Sequence, residues 1–131
     1  MFLLDTDIII YSWKNKKNVI DNFKLHKNDP KAISVISYGE LIHGAQKSQQ
    51  KNKNLAKVHR LAEIFPVINI TKSIMDTYGL LIADLQRKGK SLDKFDAVIA
   101  ATAITNGYCL VTNNVKHFKK VPGLKIVNWN S

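Results

Sequence analysis

A chain of 131 residues fits one hydrophobic core, and 45% hydrophobic content fills that core without disulfides or a structural metal. The single cysteine, Cys109, excludes an internal disulfide; it sits in an apolar run and reads as a small buried hydrophobe in a reducing compartment. Twenty Lys and Arg against ten Asp and Glu leave a net charge of +10, which favours a polyanionic partner such as a phosphate backbone, though an acidic protein would match it too.

The chain opens Met1-Phe-Leu-Leu-Asp5, without the basic segment of a signal peptide, and no apolar run reaches membrane-span length. A single cytoplasmic domain over residues 1–131 is the expectation. Phe2 to Leu4 reads as a short buried strand, followed by helices over about Asp7 to Trp13 and Asn18 to His26. A strand at Ala32 to Val35 leads into a helix starting near Ser37, with Tyr38, Leu41, Ile42 and Ala45 on one face. A basic helix from about Gln50 to Ile64 precedes a strand at Val67 to Ile70. Thr71 or Ser73 caps a long helix whose apolar positions Ile74, Tyr78, Leu81, Ile82 and Leu85 repeat every 3.6 residues. Arg87-Lys88-Gly89 stops it.

Asp93 opens the next helix, with Phe95, Val98, Ile99, Thr102 and Ala103 inward, and Asn106-Gly107 ends it. Cys109 to Thr112 and Lys125 to Asn128 complete the strands. Short strands alternating with helices predict a three-layer α/β/α sandwich on a mostly parallel central sheet. Ligands of such sheets bind beyond the carboxyl ends of the strands.

Polar residues collect at those ends. Asp5 follows the first strand, Glu40 lies in the first turn of the helix after the second, Asp96 in the first turn after Asp93, and Asn114 after the strand ending near Thr112. Two or three carboxylates from different elements make a hard oxygen shell suited to Mg²⁺. An ion there would relieve their repulsion and activate a water against a phosphate. Capping alone accounts for each acid taken singly. Ser37-x-x-Glu40 has the form of a capping box, Asp93-x-x-Asp96 of an N-cap with a first-turn acid, and Asp5-Thr6-Asp7 of a strand-to-helix turn.

At these residues the chain resembles the PIN-domain ribonucleases, specifically the VapC toxins of bacterial toxin–antitoxin pairs. Phe2-Leu-Leu-Asp5-Thr6-Asp7 is similar to the family's opening, Ser34 to Ala45 to its second acidic block, and Phe95-Asp96 to Ala101 to its third. Leu110 to Phe118 and Val121 to Trp129 resemble its closing section. The resemblance implies a PIN-like fold and an endoribonuclease using Mg²⁺ or Mn²⁺, with Asp5, Glu40 and Asp96 as metal-binding catalytic residues. It implies structured RNA, often tRNA or rRNA, as substrate. It also implies a VapB-like antitoxin as inhibitor and a homodimeric toxin within a toxin–antitoxin hetero-oligomer.

The chain departs from the pattern at two positions. Asp7 stands where the family usually has Asn, adding charge near the site or pointing elsewhere. Asn114 stands where many PIN domains carry a fourth Asp, and offers a neutral oxygen or a hold on water. Thr112 supports the site from the same loop, and Asp93, a fourth-acid candidate, reads first as a cap. His43, His59 and His117 read as surface histidines, the last two RNA-adjacent. Lys14, Lys16, Lys17 and the group Lys47, Lys51, Lys53, Lys57 and Arg60 raise RNA affinity collectively. Tyr11, Trp13 and Tyr38 serve packing first and stacking on bases or a partner second. The competing readings are a non-enzymatic RNA- or protein-binding module on the same fold, and a phosphatase or receiver-like domain using Asp5 as nucleophile.

Overall fold

The computed structural model describes residues 1–131. Its strands are β1 (Phe2–Leu4), β2 (Lys31–Ser34), β3 (Val67–Ile68), β4 (Cys109–Val111) and β5 (Ile126–Val127). They form one sheet in the order β3-β2-β1-β4-β5, and every neighbouring pair is parallel. Parallel neighbours require crossovers, which helices supply. The helices α1 (Thr6–Trp13) and α2 (Lys17–Leu25) join β1 to β2, and α3 (Val35–Gln46) and α4 (Lys51–Ile64) join β2 to β3. The helices α5 (Lys72–Arg87) and α6 (Lys94–Asn106) lead to β4, and a short α7 (Val115–Phe118) lies between β4 and β5.

Alternation along each strand divides the core into two layers. Leu3, Ala32 and Leu110 pack with Leu81, Leu85, Ala97 and Ala100 of α5 and α6. Leu4, Ile33 and Val111 point the other way, onto Ile8, Val19, Leu41 and Val58 of α1 to α4. The sandwich expected from the sequence is thus built, with its sheet fully parallel. Trp129, 1% exposed, seals the second layer. It stacks on His26 and meets Phe2 and Phe23 edge-on, so the C-terminal segment is fastened to β1 and α2.

Several boundaries differ from the sequence reading for identifiable reasons. Ser34, extended at φ −79° and ψ 155°, caps α3 by accepting the Ser37 N–H at 3.1 Å. Val35 therefore begins the helix rather than ending the strand, and Ser37 is an interior residue whose buried Oγ has no partner. The capping box at Ser37–Glu40 is not formed, and Glu40 falls in the second turn. Phe95 is 55% exposed instead of inward, because the Asp93 cap sets the helix phase so that burial starts at Ala97. Cys109 is half-buried. Both expected glycine stops hold: Gly89 and Gly107 take left-handed φ of 67° and 69° just past α5 and α6.

Candidate active site

The strand order reverses between β1 and β4, and an open parallel sheet gapes at the carboxyl ends of such a pair. Asp5 follows β1 and Thr112 follows β4, so the two face each other across that crevice. Asp5 Oδ2 accepts from Thr112 Oγ1 at 2.7 Å, while Oδ1 caps α1 by accepting the Thr6 N–H at 2.9 Å. The carboxylate is buried, and burial raises its pKa against the lowering effect of these two bonds.

Asp7, in the first turn of α1, turns into the same space. Its Oδ2 accepts the Asn113 N–H at 3.1 Å, whereas its buried Oδ1 has no partner. Burial, then the charge of Asp5, lifts its pKa to about 6. Asp96 reaches the crevice from the first turn of α6, also pushed up to about 6, by burial and then by the charges of Asp5, Asp93 and Glu40. Glu40 is exposed on α3 and is drawn toward α1 by Thr6 Oγ1, which donates to its Oε1 at 2.8 Å. Four acids brought from three helices and the end of a strand therefore sense one another in a chain that has only ten.

The remaining expectations divide. Asp93 is a cap: its Oδ2 accepts the N–H groups of Phe95 at 3.1 Å and Asp96 at 3.4 Å, and its charge reaches Asp96 from there. Thr112 supports the site twice, donating to Asp5 and accepting the Asn114 N–H at 3.0 Å. The Asn114 side-chain amide pairs with His117 Nδ1 at 2.8 Å, and that nitrogen lies 3.9 Å from Asp96 Oδ2. Two contributors escaped the sequence reading, and a third, His117, was read there only as a surface histidine near RNA. Thr6 orients Glu40; Asn113 holds Asp7 while its Oδ1 accepts from Asn128 and Asn130, both at 3.2 Å; and His117 stands beside Asp96. Only the Thr112-Asn113-Asn114 run hinted at the second, and nothing in it says which asparagine turns inward.

These side chains do not close into a finished coordination cage. Their chemistry nonetheless fits a hard divalent cation: all donors are oxygens, one buried carboxylate oxygen lacks any partner, and burial together with mutual repulsion raises the pKa of acids whose protons a cation would displace.

The PIN domain family matches residues 2–124. A tRNA(fMet)-specific endonuclease VapC from Shigella flexneri is 35% identical over 130 residues, 98% of each chain. Ribonuclease VapC2 from Rickettsia felis is 35% identical over 132 residues, covering 99% of this chain and 98% of its own. The chain belongs to the PIN-domain family, among the VapC ribonucleases. The solved VapBC2 complex of Rickettsia felis bound to promoter DNA agrees in shape at a TM-score of 0.91, with 33% identity over 98% of both chains. DNA-bound VapBC from Salmonella typhimurium gives 0.90, with 35% identity over 98% of this chain and 97% of that one. VapC nucleases of the PIN family generally depend on divalent metals.

In this PIN domain Thr112→Val tests the support beneath Asp5. The variant leaves Asp5 Oδ2 buried without its donor, which costs about 1–3 kcal/mol of stability. Misplacing a carboxylate through its supporting bond typically lowers activity about 10–100-fold. Urea melts and initial cleavage rates check both. Wild-type values for the two together would remove Thr112 from the site.

Proposed function

We propose that residues 1–131 act as the single catalytic domain of a cytoplasmic toxin: an Mg²⁺-dependent endoribonuclease that cuts structured RNA and is silenced by a VapB-like antitoxin. The observation that carries this reading is the crowding of Asp5, Asp7, Glu40 and Asp96 at the one point where the strand order reverses. Buried acids that repel one another weaken a fold, so a module that only binds has no use for them. A nuclease does.

Asp5, Glu40 and Asp96 hold the ion, with Asp7 and Asn114 as supporting oxygens; Mn²⁺ suits the same donors. The bound ion supplies an activated water and positive charge at the phosphodiester. Thr112 and Thr6 fix Asp5 and Glu40, so these carboxylates keep their places as substrate arrives. The net charge of +10 draws the RNA backbone in. Relatives support the partners: the Shigella flexneri protein is named for tRNA(fMet), and the matched structures are VapBC complexes. We take tRNA or rRNA as the substrate class, and a toxin homodimer within a toxin–antitoxin hetero-oligomer as the stored form. Incubating the protein with total RNA and Mg²⁺, then sequencing the new ends, should give a few discrete cuts that EDTA prevents. Intact RNA, or cleavage that ignores EDTA, would sink the proposal.

A further inference from the structure

We propose that the groove between α1, α3 and α4 seats an unpaired nucleotide of the RNA beside the cleaved bond, an inference that rests on the nuclease reading above. The groove holds a cavity of about 310 Å³ whose lining includes Ile10, Trp13, Lys14, Glu40, Gly44 and Lys57. Glu40 belongs to both places, so a strand lying in the groove meets the edge of the acidic cluster there. The volume is at the small end of ligand sites, room for one nucleotide and not for a duplex.

Its chemistry is that of a single-strand platform, a flat aromatic flanked by cations. Trp13 is half-buried, and Lys57 Nζ sits 5.7 Å over its ring, where a phosphate would draw it away and leave the indole face to a base. Two unneutralised cations line the groove: Lys14 and Lys57 are exposed and neither takes part in an ion pair. An acidic peptide would answer the cations as well. The indole face and the shared Glu40 favour the nucleotide.

Gly44 gives the means of testing this. It lines the groove from within α3, and a Cβ there meets nothing within 4 Å. Alanine and leucine are both better helix formers than glycine, so neither variant should melt below wild type. Of the two tryptophans, Trp129 is buried at 1% exposure, leaving Trp13 to report on the groove. A 2′-O-methyl RNA hexamer titrated in EDTA should quench Trp13 saturably in wild type and Gly44→Ala. Gly44→Leu should weaken that binding about tenfold or more, as losing a stacked base does. In Mg²⁺, Gly44→Leu should raise KM and leave kcat near wild type. Absent quenching, or binding unchanged in Gly44→Leu, overturns the proposal. Quenching by a poly-Glu peptide but not by the hexamer also overturns it, and assigns the groove to a protein partner. Should wild type cleave no RNA, the nuclease reading fails, and the EDTA titration still judges the groove.

Discussion

Asp96→Asn should abolish RNA cleavage and, in the same molecule, raise the melting temperature. The loss follows from the place of Asp96 in the carboxylate cluster. Removing one charged oxygen from a cation's shell forfeits several kcal/mol of transition-state stabilisation, about a thousandfold or more in rate. The gain follows from what the charge does to the fold. Burial and the charges of Asp5, Asp93 and Glu40 push the Asp96 pKa from 3.8 to about 6, so at neutral pH the ionised side chain is disfavoured where it stands. Its side chain is 22% exposed, and allowing for solvent and for the weak pull of His117 the relief amounts to roughly 1–2 kcal/mol. In a domain of this size that is roughly 3–8 °C. A residue that mattered only for packing would lose both properties together. Calorimetry at pH 7.5 in EDTA, set beside a gel assay in Mg²⁺, separates the two effects. Cleavage at the wild-type rate would remove Asp96 from the site, and a lower melting temperature would refute the electrostatic account.

What the sequence discloses follows the range of each interaction. The strands and long helices are legible because burial on both faces of a parallel sheet, or on one stripe of a helix, repeats within a few residues. Asp93 and Gly107 are legible as helix ends for the same local reason. Ser34 and Ser37 show where that reasoning stops: both can cap, and the choice is made by where β2 leaves its neighbours, which the local pattern does not contain. The choice of cap decides where Glu40 points. A Glu40 engaged in a capping box would be turned back on its own helix, whereas in the second turn it is free to meet Thr6, 34 residues away in sequence. Asn113 binds Asp7 across 106 residues, and no periodicity foretells such a bond. The short α7 has too few residues to display a period. The acids themselves were legible as a set because parallel topology sends each strand end to the same edge. Of the supports beneath them, Thr112 was legible from its place at the end of β4, whereas Thr6 and Asn113 were not.

The second large effect concerns protons. In EDTA the protein should become less stable as pH rises from about 4 to about 7. The carboxyls of Asp7 and Asp96 have folded pKa values of about 6, and that of Asp5 is raised as well, against 3.8 ordinarily. Between those limits the folded chain keeps protons that the unfolded chain has released, so each step upward in pH favours unfolding. Stability from these groups is fully present below the unfolded pKa and is lost as pH passes through the folded one. Because the three interact, they titrate as a set, and the two carboxyls at about 6 alone, discounted for solvent, give an expected loss of roughly 2–4 kcal/mol. A divalent cation reverses the slope. It binds the ionised carboxylates, so its stabilisation, which grows as the logarithm of free ion over Kd, increases over the range where the metal-free protein weakens. Urea melts at pH 4.5, 5.5 and 7.0 should therefore converge in EDTA toward the weakest value at pH 7.0, and Mg²⁺ should restore most stability there and least at pH 4.5. A flat or rising EDTA series would mean that the carboxylates do not carry these protons. An Mg²⁺ effect equal at every pH would place the ion elsewhere. The same competition sets the conditions for cleavage: below about pH 6 the ion must displace protons before it can bind, so the Mg²⁺ needed for half-maximal rate should climb as pH falls.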